Sequence, residues 1–285
     1  MADAAGLFPG KQFISTVLEA LDTKTAMSGE IARRYLMRAG MAGIVIGIMY
    51  GTNYAVIAAF GNVGLGDWTA IGRMVGALLF GFALVFIYYT KSELLTSNMM
   101  IVAIGAYHHR TSTMKALRIL GLCYLGNALG GLLVAILLRF STVSSSAVGD
   151  QMSAAVDHKL SYLSEGLAGW GDLFVRAVLC NFMINLAMLL VYNGLLKEDV
   201  MKSLVMIMSV FIFAFLGFEH SVANTVLFLM VGLREGIDVG LALGNIAIAL
   251  VGNFVGGGLL IGLYYAYVND DAQYLRRQAG PDDGA

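Results

Sequence analysis

"GFEHSVAN", residues 217–224, interrupts an apolar tract that reads "VMIMSVFIFAFL" before it and "TVLFLMVGL" after it. A charged side chain at the centre of a bilayer costs about 2.5–3.5 kcal/mol on insertion scales, and such groups mark ion and proton pathways. Glu219 and His220, adjacent at that depth, are therefore read as functional groups. The structural alternative is a satisfied buried histidine holding two helices together, with Glu219 as its neutral or paired neighbour.

The rest of the chain sets the same solvent. Its 285 residues are 58% hydrophobic and 13% charged, with a mean hydropathy of +0.76, against roughly 45–50% apolar and 25% charged in a soluble domain. This is the composition of a membrane protein. A net charge of -1 gives no reason to expect nucleic acid. Cys123 and Cys180 both lie in apolar stretches, so no disulfide framework is expected. The start, "MADAAGLFPGKQFISTVLEALDTK", lacks the basic and apolar regions of a secretory signal. Its Phe13, Val17, Leu18 and Leu21 share one helical face, which reads as a helix over residues 1–30 lying on the membrane surface or, equally, an ordinary solvated amphipathic helix.

A bilayer core of about 30 Å needs roughly 20 apolar residues per helix. Six stretches qualify, near 36–60, 70–90, 114–138, 173–194, 200–231 and 241–268, and the second and fifth carry polar interruptions inside or at their ends. Lys and Arg concentrate in "TKTAMSGEIARRYLMR", "YHHRTSTMKALR", "LLKEDVMK" and "YLRRQ", all on one side. The positive-inside rule then places both termini, including a tail over residues 269–285, in the cytoplasm of a cell (inner or plasma) membrane. The polar segment 140–172 reads as an outer linker between two groups of three spans.

Those groups repeat. "SELLTSN" and "FEHSVAN" each give Glu-x-x-x-x-Asn, as Glu93 to Asn98 and Glu219 to Asn224, and "LGNALGGLL" matches "VGNFVGGGL", pairing Asn127 with Asn253. Three spans separate the repeats, near 31–138 and 170–268, so equivalent helices run in opposite senses, which is an inverted repeat. Polar breaks in corresponding helices then meet near the midplane, because non-helical backbone is tolerated there only inside protein or beside a cavity. Gly126, Gly130, Gly252 and Gly256 form small-xxx-small faces for close helix packing.

Thr96, Ser97 and Asn98 read as pore-facing groups or as caps of a half-helix. Asn181 and Asn224 read as groups orienting His220 or as helix-to-helix glue. Phe80, Leu84, Leu95, Ile184 and Phe213 lie near these motifs, where plain packing is the ordinary role.

At these residues the chain resembles the formate/nitrite transporter family. "SELLTSN" looks like its [DE]-L-[FL]-T-[SG] loop, "VLCNFMINLA" is similar to its C-N-x-x-V-C-L-A segment, and "GFEHSVANTV" nearly repeats its G-[FY]-E-H-S-[IV]-A-N motif. The resemblance runs from about Lys24 to Val268. It implies an all-α membrane protein, with six transmembrane helices in an aquaporin-like inverted repeat over 31–268. It also implies a homopentamer set in membrane lipid, with one pore per subunit for small monovalent weak-acid anions and no cofactor or metal. Carried over by position, Thr96 belongs to the loop that reaches into the pore and His220 is the pore histidine, with Glu219, Asn181 and Asn224 about it. Phe80, Leu84, Leu95, Ile184 and Phe213 match the constriction, and Lys24 and Lys159 match vestibule lysines.

Three residues depart from the family pattern. Lys91 stands where Gly is usual, and attracts anions, pairs with Glu93 or reaches outward; Asn185 replaces Cys; Leu95 stands where formate channels often have Phe. Ser97 favours formate, with nitrite, lactate, acetate and hydrosulfide as alternatives. The expected passage is acid symport: a bare carboxylate is too costly in a dry ring, so the anion takes a proton, from water or through His220, and crosses neutral. A water or glycerol channel would need two Asn-Pro-Ala loops, but the only prolines are Pro9 and Pro281, outside the spans. No enzyme activity is expected, since no further His or Cys cluster accompanies His220.

Overall fold

The computed structural model describes residues 4–62, 68–144 and 147–278. Helix α1 (Lys11–Glu30) precedes α2 (Ala32–Gly61), α3 (Thr69–Phe80) and α4 (Phe82–Tyr89). Then come α5 (Leu95–Tyr107), α6 (Thr113–Arg139), α7 (Ala147–Ser164), α8 (Gly166–Tyr192), α9 (Asp199–Phe215), α10 (Ser221–Glu235) and α11 (Val239–Asn253). A π-helical stretch, Phe254–Leu263, carries α11 into α12 (Tyr264–Val268), and α13 (Ala272–Gln278) closes the described chain. Among the described residues five helices are long and apolar enough to cross a membrane, with α3 and α4 counted as one and α11 to α12 as another.

The expected span at 200–231 is divided between α9 and α10, and the second span is followed by the half-helix α5, which charge counting had left in a loop. Both breaks use one backbone device. Lys91 (φ 54°) and Gly217 (φ 67°) take the left-handed conformation. The amides of Lys91 and Ser92 return to the carbonyls of Tyr88 and Ile87; those of Gly217 and Phe218 return to Ala214 and Phe213. This is the Schellman stop. Only glycine enters that conformation freely, and a side chain there costs about 1–2 kcal/mol. The usual glycine of the family loop thus has a physical reason, and Lys91 stands against it.

The close packing expected of the glycines is present. A Cβ on Gly130 would lie 1.9 Å from the Gly40 carbonyl oxygen, and one on Gly256 would lie 2.0 Å from that of Val178. Backbones of α2 and α6, and of α8 and the π stretch, approach too closely for any side chain.

Two expectations change. Segment 140–172 is not a linker: most of it is α7, whose Met152, Val156 and Leu160 are buried and whose Lys159 reaches the interior. Those residues recur every three or four positions, the spacing of one helical face. Helix α1 packs on protein: Phe13, Val17 and Leu21 are fully buried, and Phe13 meets Tyr265 edge-on at 6.1 Å. Its start is held by the C-terminal segment, with Gly10 N donating to Asn269 Oδ1 at 2.7 Å and Lys11 paired with Asp271.

Candidate functional site

Each break is fastened by an asparagine from the last spanning helix of its own half. Asn127 Nδ2 donates to the carbonyls of Ala39 and Glu93, both at 2.8 Å, while its Oδ1 accepts Leu95 N at 3.0 Å. Asn253 does the same with Ala177 at 2.8 Å, Glu219 at 2.9 Å and Ser221 N at 2.9 Å. The amides of Glu93 and Glu219 donate to Arg38 and Arg176, each at 3.3 Å. Buried backbone groups left without partners would cost about 1–3 kcal/mol each, so these clamps let non-helical chain persist inside the bundle.

Each acidic side chain then meets a lysine, Lys159 buried and Lys24 half-buried. Lys24 pairs with Glu93, and Lys159 Nζ reaches both oxygens of Glu219, at 2.8 and 2.9 Å. Asn98 Nδ2 donates to Glu93 at 3.1 Å, to Tyr35 Oη at 3.0 Å and to Cys123 Sγ at 3.3 Å. Asn224 Nδ2 donates to Glu219 at 2.6 Å and to Asn245 Oδ1 at 2.8 Å.

These groups border two vestibules. The first, about 410 Å³, is lined by Lys24, Arg38, Lys91, Glu93, Ser97 and Asn98 among others. The second, about 480 Å³, includes Arg73, Lys159, Arg176, Glu219, His220 and Asn224. Each lining holds three lysines or arginines against one carboxylate, an excess suited to anions. Lys91 lies with its ammonium 5.0 Å from the centre of the Tyr88 ring, and Glu93 has Lys24 as its partner. Arg38, Arg73 and Arg176 were not singled out from the sequence.

Between the vestibules lies a space of about 20 Å³ that shares Leu84, Ile87 and Leu94 with the first and Phe80, Phe213 and His220 with the second. It has room for about one water. Ile184 and Val210 complete its wall, and Phe80 and Phe213 stand edge to face at 6.3 Å. Leu95 is buried and does not line this space, whereas its neighbour Leu94 does. Leu94 is also the repeat equivalent of His220, so the neck sets an aliphatic group opposite an imidazole.

His220 caps α10, its Nδ1 accepting Ala223 N at 3.2 Å. In the neutral ring the proton therefore sits on Nε2, which faces Thr96 Oγ1 at 3.3 Å. Thr96 is fully buried and absent from the linings of all three spaces, so it acts on the path through His220. Of the two readings of Asn181 and Asn224, contacts that tie segments together fit their hydrogen bonds and orientation of the ring does not. Asn181 Nδ2 donates to Thr96 O at 3.1 Å and Asn253 O at 2.7 Å, and Asn224 serves Glu219.

A family model described as formate/nitrite transporter matches residues 11–267. The chain belongs to that family. It is therefore a multi-pass membrane protein of a family of transporters and channels. Formate channel FocA of Haemophilus influenzae is 26% identical over 276 residues, covering 89% of this chain and 94% of its own length. A structure described as an FNT family ion channel superposes with a TM-score of 0.76 at 22% identity, covering 91% of this chain and all of the other. A pentameric formate channel with formate bound superposes at 0.65, also at 22% identity, over 84% of this chain and 98% of the other. The fold of the family is thus shared.

Proposed function

We propose that this chain forms a channel for small monovalent anions of weak acids, formate foremost, which cross the neck as the neutral acid. The reading rests on one observation: two vestibules with cation excess share wall residues with an apolar space of about 20 Å³ beside His220 that lies between them. Six spans in two oppositely oriented halves, both termini in the cytoplasm of the inner or plasma membrane, and a homopentamer in lipid complete the proposal. The pentameric relative supports the last point.

The anion is drawn into a vestibule by the lysine and arginine excess. Lys24 and Lys159 are already paired with Glu93 and Glu219, and Arg176 with Asp172, so Arg38, Lys91 and Arg73 supply the net attraction. In the neck desolvation favours the uncharged acid. The 3.3 Å contact of His220 Nε2 with Thr96 is at the long end for a hydrogen bond, so Nε2–H can turn to the entering carboxylate at small cost. Uptake of labelled formate, nitrite, lactate and hydrosulfide into proteoliposomes, each with and without an imposed pH gradient, tests the proposal. Acid-stimulated formate uptake is expected, and uptake indifferent to the proton gradient removes the neutral-acid step.

A further inference from the structure

Asn185 departs from the family pattern and lies one helical turn beyond Asn181 on α8, fully buried. Its Nδ2 lies 3.1 Å from Thr96 O, 2.8 Å from Asn181 Oδ1 and 3.0 Å from Asn181 O. Turning the amide over would set its oxygen against three acceptors, so the orientation is fixed by chemistry. The oxygen, Oδ1, accepts no hydrogen bond from the protein and is buried. A buried carbonyl without a donor destabilises a fold, and an apolar side chain in its place would avoid that cost. The residue is there for its N–H groups.

The surroundings are shaped to admit it. A Cβ on Gly257 would lie 2.3 Å from Asn185 Nδ2 and 2.4 Å from Asn181 Nδ2, so the π stretch has a glycine where the two amides need space. The first half has no such device. The register that pairs Arg38 with Arg176 and Ala39 with Ala177 pairs Asn181 and Asn185 with Gly43 and Gly47. The loop carrying Thr96 has these two amides besides its Asn127 clamp, whereas the equivalent positions behind the loop carrying His220 are glycines, which leaves that loop its Asn253 clamp.

We infer that Asn185 is a positioning residue: by holding Thr96 O, and by aligning Asn181 on the same carbonyl, it sets the gap between Thr96 Oγ1 and His220 Nε2. The inference rests on the function proposed above. A long Thr96 to His220 contact leaves Nε2–H available to the acid in the neck. Without the Asn185 amide the loop relaxes and that availability changes, while both vestibules stay as they are.

The test compares wild type with Asn185→Leu in the same proteoliposomes, measuring formate uptake against concentration from pH 5 to 7. The leucine variant keeps the branched shape, though it is bulkier, and removes the orphaned oxygen, so a merely structural role predicts unaltered transport in any variant that assembles stably. The expected result is a maximal rate lowered about tenfold with a half-saturating concentration within about twofold of wild type. A stable variant with the wild-type maximal rate overturns the assignment, as does a rise in half-saturation alone. If Asn185→Leu does not assemble, Asn185→Cys, which restores the residue usual in the family and lacks the paired N–H groups, is judged by the same split. Absence of wild-type uptake of any weak acid would overturn the transport reading, and this inference with it; wild-type uptake with unaltered variants overturns this inference alone.

Discussion

Replacing Lys159 by Met removes the ammonium that, among the described residues, is paired with Glu219, which is 2% exposed. Both Glu219 oxygens are held by Lys159 Nζ, at 2.8 and 2.9 Å, and one also accepts from Asn224 at 2.6 Å. Removing one partner of a buried ion pair costs about 3–5 kcal/mol, chiefly because the other charge is left uncompensated. The bond from Asn224 survives and offsets part of this, so about 3 kcal/mol is expected for Lys159→Met. Lys159→Met with Glu219→Gln leaves no buried charge and is expected to lose only about 1 kcal/mol, because neutral partners of similar shape are cheap to substitute. Glu219→Gln alone strands the buried Lys159 ammonium and is likewise expected to cost about 3 kcal/mol, so the coupling energy from the cycle is about 5 kcal/mol in magnitude, read by denaturant unfolding in micelles. Formate uptake should follow the same order. The single variant leaves an unpaired carboxylate in an anion vestibule and falls below the double variant. Effects that add to within about 0.5 kcal/mol, the tolerance for independent sites, would refute the reasoning.

Three further outcomes follow from the geometry. A carboxylic acid with a pKa of roughly 4 is mostly ionised at pH 7, and its neutral fraction rises about tenfold for each pH unit down to 5; initial uptake rates in liposomes should rise with it, whereas a flat profile indicates passage of the anion. Leu94→Ala should widen the neck and admit lactate relative to formate, whereas Leu95→Ala should leave that ratio alone and lower stability by about 2–5 kcal/mol as a core truncation; competition uptake and unfolding separate the two. Gly130→Ala and Gly256→Ala would each force a Cβ to within 2.0 Å or less of a carbonyl oxygen across a helix pair, so little folded protein is expected in size-exclusion chromatography, while Gly121→Ala, with nothing within 4 Å, should behave as wild type.

Much of the path was legible before any coordinates. The two Glu-x-x-x-x-Asn strings stand out because charge is rare in an apolar chain, and Phe80, Leu84, Ile184, Phe213 and His220 do gather around one narrow space. The clamps on the breaks were half seen: Asn127 and Asn253 were noticed as repeat mates, but nothing in a sequence shows which carbonyls an amide will reach. Arg38 and Arg176 were missed for a different reason. Their repeat register differs from that of the later motifs, since Glu93 follows Arg38 by 55 residues whereas Glu219 follows Arg176 by 43, so a search at one common spacing passes over them. Leu95 was named from the sequence and Leu94 was not, yet Leu94 lines the narrow space, because adjacent residues at a helix start point in directions that depend on local backbone angles.

Hydrophobicity and the paired polar strings were enough to fix the solvent, the twofold repetition and the depth of the interruptions, because each follows from the cost of placing charge and bare backbone in lipid. Which side chains face the path was decided by the tertiary structure alone. The left-handed turns at Lys91 and Gly217 rotate the following residues, and amides from distant helices then hold that rotation. The sequence therefore located the breaks, and only the packed bundle determined that Thr96 stands behind His220 and Leu94 in front.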